Sequence, residues 1–174
     1  SKFAAIDIHT HAEEPCCVDR DDGYNEFQAG MAKYFKNPAG VEGMLPTVQD
    51  TAAYYRERNI AAVIFPVDSE RETGFRRYSN EEVAQICADN DDILIPFASI
   101  DPHKGKAGAR EARRLIRDFG VKGFKFHPTQ QGFFPNDRLP YDMYEAIAEE
   151  GAIALFHTGQ TGVGSGMRGG MGMR

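Results

Sequence analysis

The chain has 174 residues, 41% of them hydrophobic and 26% charged, a balance that suits one folded domain with a real core and excludes a low-complexity or disordered segment. Its formal net charge of −6 disfavours wrapping a nucleic-acid backbone, and no run approaches the roughly 18 apolar residues of a membrane-spanning helix, so neither partner is expected. The three cysteines, Cys16, Cys17 and Cys87, suit a reducing compartment better than a disulfide framework, and no charged-then-apolar leader precedes the first strand, so a cytoplasmic protein is expected.

Ala4, Ala5, Ile6 and Ile8 predict a short buried strand that runs into IDIHTH, residues 6–11. Strand side chains alternate, which places Asp7, His9 and His11 on one face and Ile6, Ile8 and Thr10 on the other. Two imidazoles one pleat apart can bind one ion. In an arbitrary loop a His-x-His pair is more often two ordinary polar residues. At the end of an apolar strand near the start of the chain it becomes a metal-site candidate, but only half of one, because a catalytic ion takes at least three protein ligands.

Residues 13–45 hold Tyr24, Phe27, Tyr34 and Phe35 among Gly, Pro, Asn and Asp. A connection this long either carries function or packs on itself. It reads as a lid-like insertion with a short helix near 26–36. Regular alternation follows. Thr47 to Arg58 is helical in pattern, with Val48, Ala52 and Tyr55 on one side, and IAAVIFPVD, 60–68, is a buried strand. Ser79 with Glu82 forms a capping-box pattern opening a helix through Val83, Ile86 and Cys87. ILIPFASIDP, 93–102, is the third strand, and a helix over 106–119 ends at Gly120. VKGFKFHP, 121–128, is the fourth strand, Tyr141 to Glu150 a helix closed by Gly151, and AIALFHTG, 152–159, the fifth strand. The basic cluster Arg110, Arg113, Arg114 and Arg117 reads as a solvated helix face.

Continuous apolar strands alternating with helices indicate α/β architecture with a parallel sheet, either open and doubly wound or closed as a (β/α)8 TIM-type barrel. His9, His11, Asp68, Asp101, His127 and His157 all fall at or just past the carboxyl ends of different strands. A barrel brings such positions to one mouth. An open sheet would spread them, and no Gly-rich phosphate loop follows the first strand.

IDIHTH, GFKFHP, QGFFPND and LFHTG, in that order, resemble the amidohydrolase superfamily, and most closely its aminocarboxymuconate-semialdehyde decarboxylase-like branch. The resemblance implies a (β/α)8 barrel holding one divalent ion, Zn2+ with Mn2+ as the alternative, on His9, His11 and His157. It also implies a catalytic histidine after the sixth strand and an aspartate after the eighth, both beyond residue 174. Barrels of this kind run to about 250 residues. The chain is therefore expected to be the first five strand-helix units of a longer barrel, with closure by a separate chain or a second copy, a homo-oligomer, as alternatives. The Gly- and Met-rich tail after residue 159 reads as a loop over the mouth.

Within that frame His127 and Lys125, on one strand face, are substrate-binding candidates, with Lys125 also able to pair with a carboxylate such as Asp7. Arg71 is a third candidate, able to meet an anionic substrate. The implied activity is a metal-dependent hydrolase in aromatic-compound catabolism, using metal-activated water on a carbonyl of a carboxylate or acyl-CoA substrate, similar to 4-hydroxyphenyl-β-ketoacyl-CoA hydrolases. A metal-dependent decarboxylase or hydratase on the same scaffold, and a non-catalytic metal-binding module, are the alternatives.

Overall fold

The structure, a computed structural model, describes residues 2–12, 29–30 and 46–159. The expected lid-like insertion lies outside the described residues, apart from helical residues 29 and 30, and so does the tail from 160 onward. Five strands, β1 (Ala5–His11), β2 (Ile60–Phe65), β3 (Leu94–Ala98), β4 (Gly123–Phe126) and β5 (Ile153–Phe156), pair in sequence order as one sheet, every pair parallel. Helices α1 (Val48–Glu57), α2 (Glu70–Thr73), α3 (Asn80–Ala88), α4 (Gly105–Phe119), α5 (Pro128–Gln131) and α6 (Tyr141–Glu149) occupy the connections.

The sheet is curled. A flat sheet would hold β1 and β5 four spacings, roughly 19 Å, apart. The ring centres of His9 on β1 and His157 just past β5 are instead 6.4 Å apart. The strands therefore form the half-barrel expected from the sequence, with an inner and an outer face.

The two faces bury different residues. On the outer face Ala62, Ile64 and Leu94 pack under Val48 and Ala52 of α1 and Val83 and Cys87 of α3. Phe124 and Phe126 of β4 pack with Ala112 and Leu115 of α4 and Met143 and Ile147 of α6. The inner face is a smaller apolar layer of Val63, Phe65 and Phe97, flanked by Ile95 and Leu155. Ion pairs tie α4 to its neighbours: Arg113 to Glu149 at 2.6 Å and Arg117 to Glu150 at 2.5 Å on the α6 side, and Arg114 to Glu81 of α3. The cluster read as a solvated helix face thus staples helices, each exposed pair contributing little alone.

Local signals explain the boundaries. Thr47 caps α1 in a full capping box with Asp50, and Gly120 and Gly151 close α4 and α6 in the left-handed region. Ser79 Oγ accepts the Glu82 N–H at 3.2 Å, but Glu82 Oε1 is buried without a partner, so the predicted box lacks its return bond.

Two expectations for the strands are corrected. Ile6 and Ile8 are 55% and 59% exposed, and Ile153 of β5 is 57% exposed, because β1 and β5 are the outer strands of the described sheet. In addition, β1 does not keep strict alternation. Asp7 pairs with Ala62 but Thr10 with Ile64, so β1 spends one extra residue there as a bulge. Asp7 consequently shares the outer, helix-covered face with Thr10: Tyr55 of α1 donates to Asp7 Oδ2 at 2.5 Å and accepts from Thr10 Oγ1 at 3.3 Å. Among the described residues no helix is long and apolar enough to cross a membrane.

Candidate metal centre

The bulge separates the histidines from Asp7 and turns them inward. Asp7 Oδ1 accepts the His9 backbone N–H at 2.9 Å. The Tyr55 hydrogen bond, then that N–H, hold the Asp7 carboxyl below the usual aspartate range, so it stays ionised as the clamp of the bulge. His9 and His11 lie against the inward Phe65 ring, at 5.5 and 4.9 Å between centres. Their Nε2 atoms are 3.1 Å apart.

That spacing fits one ion. Two nitrogens about 2.0–2.1 Å from a tetrahedral ion lie about 3.3 Å apart, with ring centres about 5 Å apart. The ring centres of His9 and His11 are separated by 5.1 Å. Burial, then the charges of His9, Lys125 and His157, push His11 down to about 3, and burial likewise lowers His9. Both imidazoles are therefore neutral, the form that offers a lone pair.

His157 is the third member of the group. Burial lowers its pKa too, and its Nε2 is buried with no hydrogen-bond partner. An orphaned imidazole nitrogen inside a protein calls for an explanation such as an ion. Its ring is 6.4 Å from that of His9, about 1 Å wider than a shared tetrahedral ion requires. Among the described residues no three His, Cys, Asp or Glu side chains already close on one point. The chain thus presents a formed His9–His11 pair with the His157 ring nearby.

The remaining inward groups come from β4. Gly123 and Lys125 alternate with the outward Phe124 and Phe126. Lys125 is 1% exposed, its Nζ has no hydrogen-bond partner, and it sits 4.9 Å from the centre of the Phe65 ring. Burial lowers it to about 8. The pairing with Asp7 expected from the sequence is not formed, because the bulge places that carboxylate on the other face. His127 is 2% exposed and stacks flat on His157, 4.1 Å between centres and 11° between planes. Burial, followed by the charges of His157 and Lys125, pushes it down to about 3.

Other polar residues at the strand ends are tied to one another. Asp68 Oδ2 accepts from Asp101 N–H and from Lys104 Nζ, both at 2.9 Å. Ser99 Oγ accepts Asp68 N–H at 3.0 Å and donates to Lys125 O at 2.9 Å, while Asn80 bonds both backbone groups of Ser99. Gln131 accepts His127 N–H at 2.8 Å and donates to Asp68 O at 3.0 Å. This buried belt joins the ends of β2, β3 and β4, so Asp68 and Asp101 serve the scaffold. Arg71 is part of it: its guanidinium meets Asp101 at 3.1 Å, Glu72 at 2.8 Å, the His103 ring and Gln131 O. Sequence reading missed Ser99, Asn80 and Gln131; the one signal, a polar residue directly after an apolar strand, was present for Ser99 alone.

The sequence profile of the amidohydrolase family matches residues 6–171. The chain belongs to this amidohydrolase family. No curated protein matches it by sequence. Several solved structures share the fold at low identity. 5-Carboxyvanillate decarboxylase from Sphingomonas paucimobilis is 13% identical with a TM-score of 0.63, over 92% of this chain and 53% of that one. The same enzyme from Novosphingobium aromaticivorans, complexed with manganese and 4-hydroxy-3-methoxy-5-nitrobenzoic acid, is 16% identical with a TM-score of 0.61, over 92% of this chain and 51% of that one. 4-Oxalomesaconate hydratase from Rhodopseudomonas palustris is 17% identical with a TM-score of 0.50, over 87% of this chain and 51% of that one. The amidohydrolase chain therefore spans about half the length of these structures, and its five strands correspond to half of a TIM-type barrel.

Proposed function

We propose that this chain supplies the metal-binding half of a metal-dependent enzyme acting on a small, aromatic or unsaturated carboxylate by lyase chemistry, decarboxylation or hydration. The observation that carries the reading is the pair of neutral imidazole nitrogens of His9 and His11, 3.1 Å apart, with the orphaned Nε2 of His157 beside them. These three residues would hold the ion, and an all-imidazole set favours Zn2+. Manganese in a structure of the same fold keeps Mn2+ as the second choice. When bound, the ion polarises a substrate oxygen and brings the pKa of bound water toward about 7.

The chain's own residues then divide the work. Phe65 and Phe97 give the centre a dry floor. Among the described residues Lys125 is a buried cation without a hydrogen-bond partner, while Arg71 is already paired with Asp101 and Glu72, which ranks Lys125, with His127, above Arg71 as a substrate contact. In this reading Arg71 supports the wall that positions His127 through Gln131. The lyase assignment is drawn from the reactions named for the decarboxylase and hydratase of the same fold.

Hydrolysis of a carbonyl substrate, an acyl-CoA among them, is the second reading, favoured by the amidohydrolase family match. The same ion and water serve either reaction. Product analysis in 18O-labelled water separates them. The lyase reading expects carbon dioxide release, or addition of one water across a double bond; cleavage into an acid and a second fragment carrying the label overturns it.

A further inference from the structure

Two features of the fourth strand are left unexplained by the ion alone: a buried amine without a partner, and a buried histidine whose ring orientation is fixed from several sides. His127 has its backbone N–H bonded to Gln131 Oε1 at 2.8 Å and its carbonyl bonded to Gln131 N–H at 2.8 Å. Its ring lies flat against His157. The backbone N–H of Gln130 points into Nδ1 at 3.3 Å. A nitrogen that accepts a hydrogen bond carries a lone pair. The ring proton of a neutral His127 is therefore on the other nitrogen, Nε2.

We propose that His127 is a neutral hydrogen-bond donor through Nε2 and that, with the Lys125 amine on the same strand face, it forms a two-point receptor for the carboxylate of the substrate. Lys125 Nζ and the histidine pair share one neighbour, since the Phe65 ring contacts His9, His11 and the amine alike. The receptor thus lies at the candidate metal centre. A charged donor and a neutral donor side by side match a group with two acceptor oxygens and one negative charge. A neutral substrate would leave the buried amine without a partner, which is unfavourable for a charged donor out of water. Gln130 and Gln131 are positioning residues in this scheme: one sets the tautomer, the other the backbone.

This deepens the reading of a carboxylate substrate and rests on it, so the test separates the two. Long-range proton–nitrogen correlation spectra of the intact protein, zinc-loaded and zinc-free, report the His127 tautomer directly. The expected result is a protonated Nε2 and a bare Nδ1 in both states; a protonated Nδ1 overturns the proposal. Benzoate and the neutral isostere benzamide are then titrated into the zinc-loaded protein. Benzoate is expected to shift the Lys125 and His127 signals and to bind more tightly than benzamide. Its affinity should fall about 10- to 100-fold in Lys125→Met and in His127→Phe, as expected for loss of a hydrogen bond to a charged group, with part restored in His127→Gln, which keeps a donor. Equal binding of the two ligands, or no response to benzoate, overturns the receptor. A protein that takes up no zinc yet shows the bare Nδ1 and the Lys125-dependent benzoate response would retire the metal reading and leave this one standing.

Discussion

Lys125→Met should stabilise the metal-free protein while weakening anion binding. The side chain is 1% exposed, its amine has no hydrogen-bond partner, and burial brings it from the ordinary lysine value of 10.5 to about 8. A lowering of that size corresponds to about 3 kcal/mol against the charged form. Relaxation of the folded protein around the charge offsets part of this, leaving about 1–2 kcal/mol. Methionine fills nearly the same volume without a charge, so the gain should appear at about pH 7. The pH dependence fixes its origin. Below about pH 8 both folded and unfolded chains carry the ammonium, and the penalty is fully present. Between about pH 8 and 10.5 the unfolded chain binds the extra proton, so the wild type gains stability as pH rises and the gap to the variant closes. Urea unfolding across that range measures it. A variant less stable than wild type at about pH 7, or a gap that stays constant as pH rises, would refute the reasoning.

Gly123→Ala should cost about 3 kcal/mol, the upper end for overpacking, because an added Cβ would meet the Phe97 ring and sit 2.7 Å from the Ile153 carbonyl oxygen, backbone that no rotamer change can move. Gly120→Ala, at φ +69° in open space, is the control and should cost only about 1 kcal/mol; equal losses by urea unfolding would contradict the packing described. Cys87 is 1% exposed and burial pushes its thiol up to about 12, so iodoacetamide at about pH 8 should leave it unlabelled in the native protein and label it in urea, as read by peptide mass mapping. Stoichiometric labelling of Cys87 with the fold intact would count against that burial.

Much of the scaffold was legible because its causes are local. The caps at Thr47, Gly120 and Gly151 lie next to the apolar runs they bound, and the five strands are continuous enough to be read without context. The approach of His157 to His9, 6.4 Å between ring centres, followed from their shared position at strand ends. What escaped reading depends on distant partners. The β1 bulge is held by Tyr55, 48 residues from Asp7, and no pattern within IDIHTH announces it. Strict alternation therefore put Asp7 beside the histidines and suggested a Lys125 partner that the fold removes. The polar belt has the same character: Gln131 reaches Asp68 across 63 positions and Ser99 across 32. Exposure of Ile6, Ile8 and Ile153 reflects which strands lie outermost, a property of the sheet rather than of the strand.

The central claim is that His9 and His11, turned inward by the bulge, bind an ion. Elemental analysis of the intact protein after dialysis against Zn2+ or Mn2+ tests it directly, alongside a His9→Ala, His11→Ala double variant. One divalent ion per chain is expected in the wild type, with an affinity loss of more than about 100-fold in the double variant, since even residues that only support metal ligands are worth about 10- to 100-fold. Metal binding that survives the double substitution unchanged would contradict it.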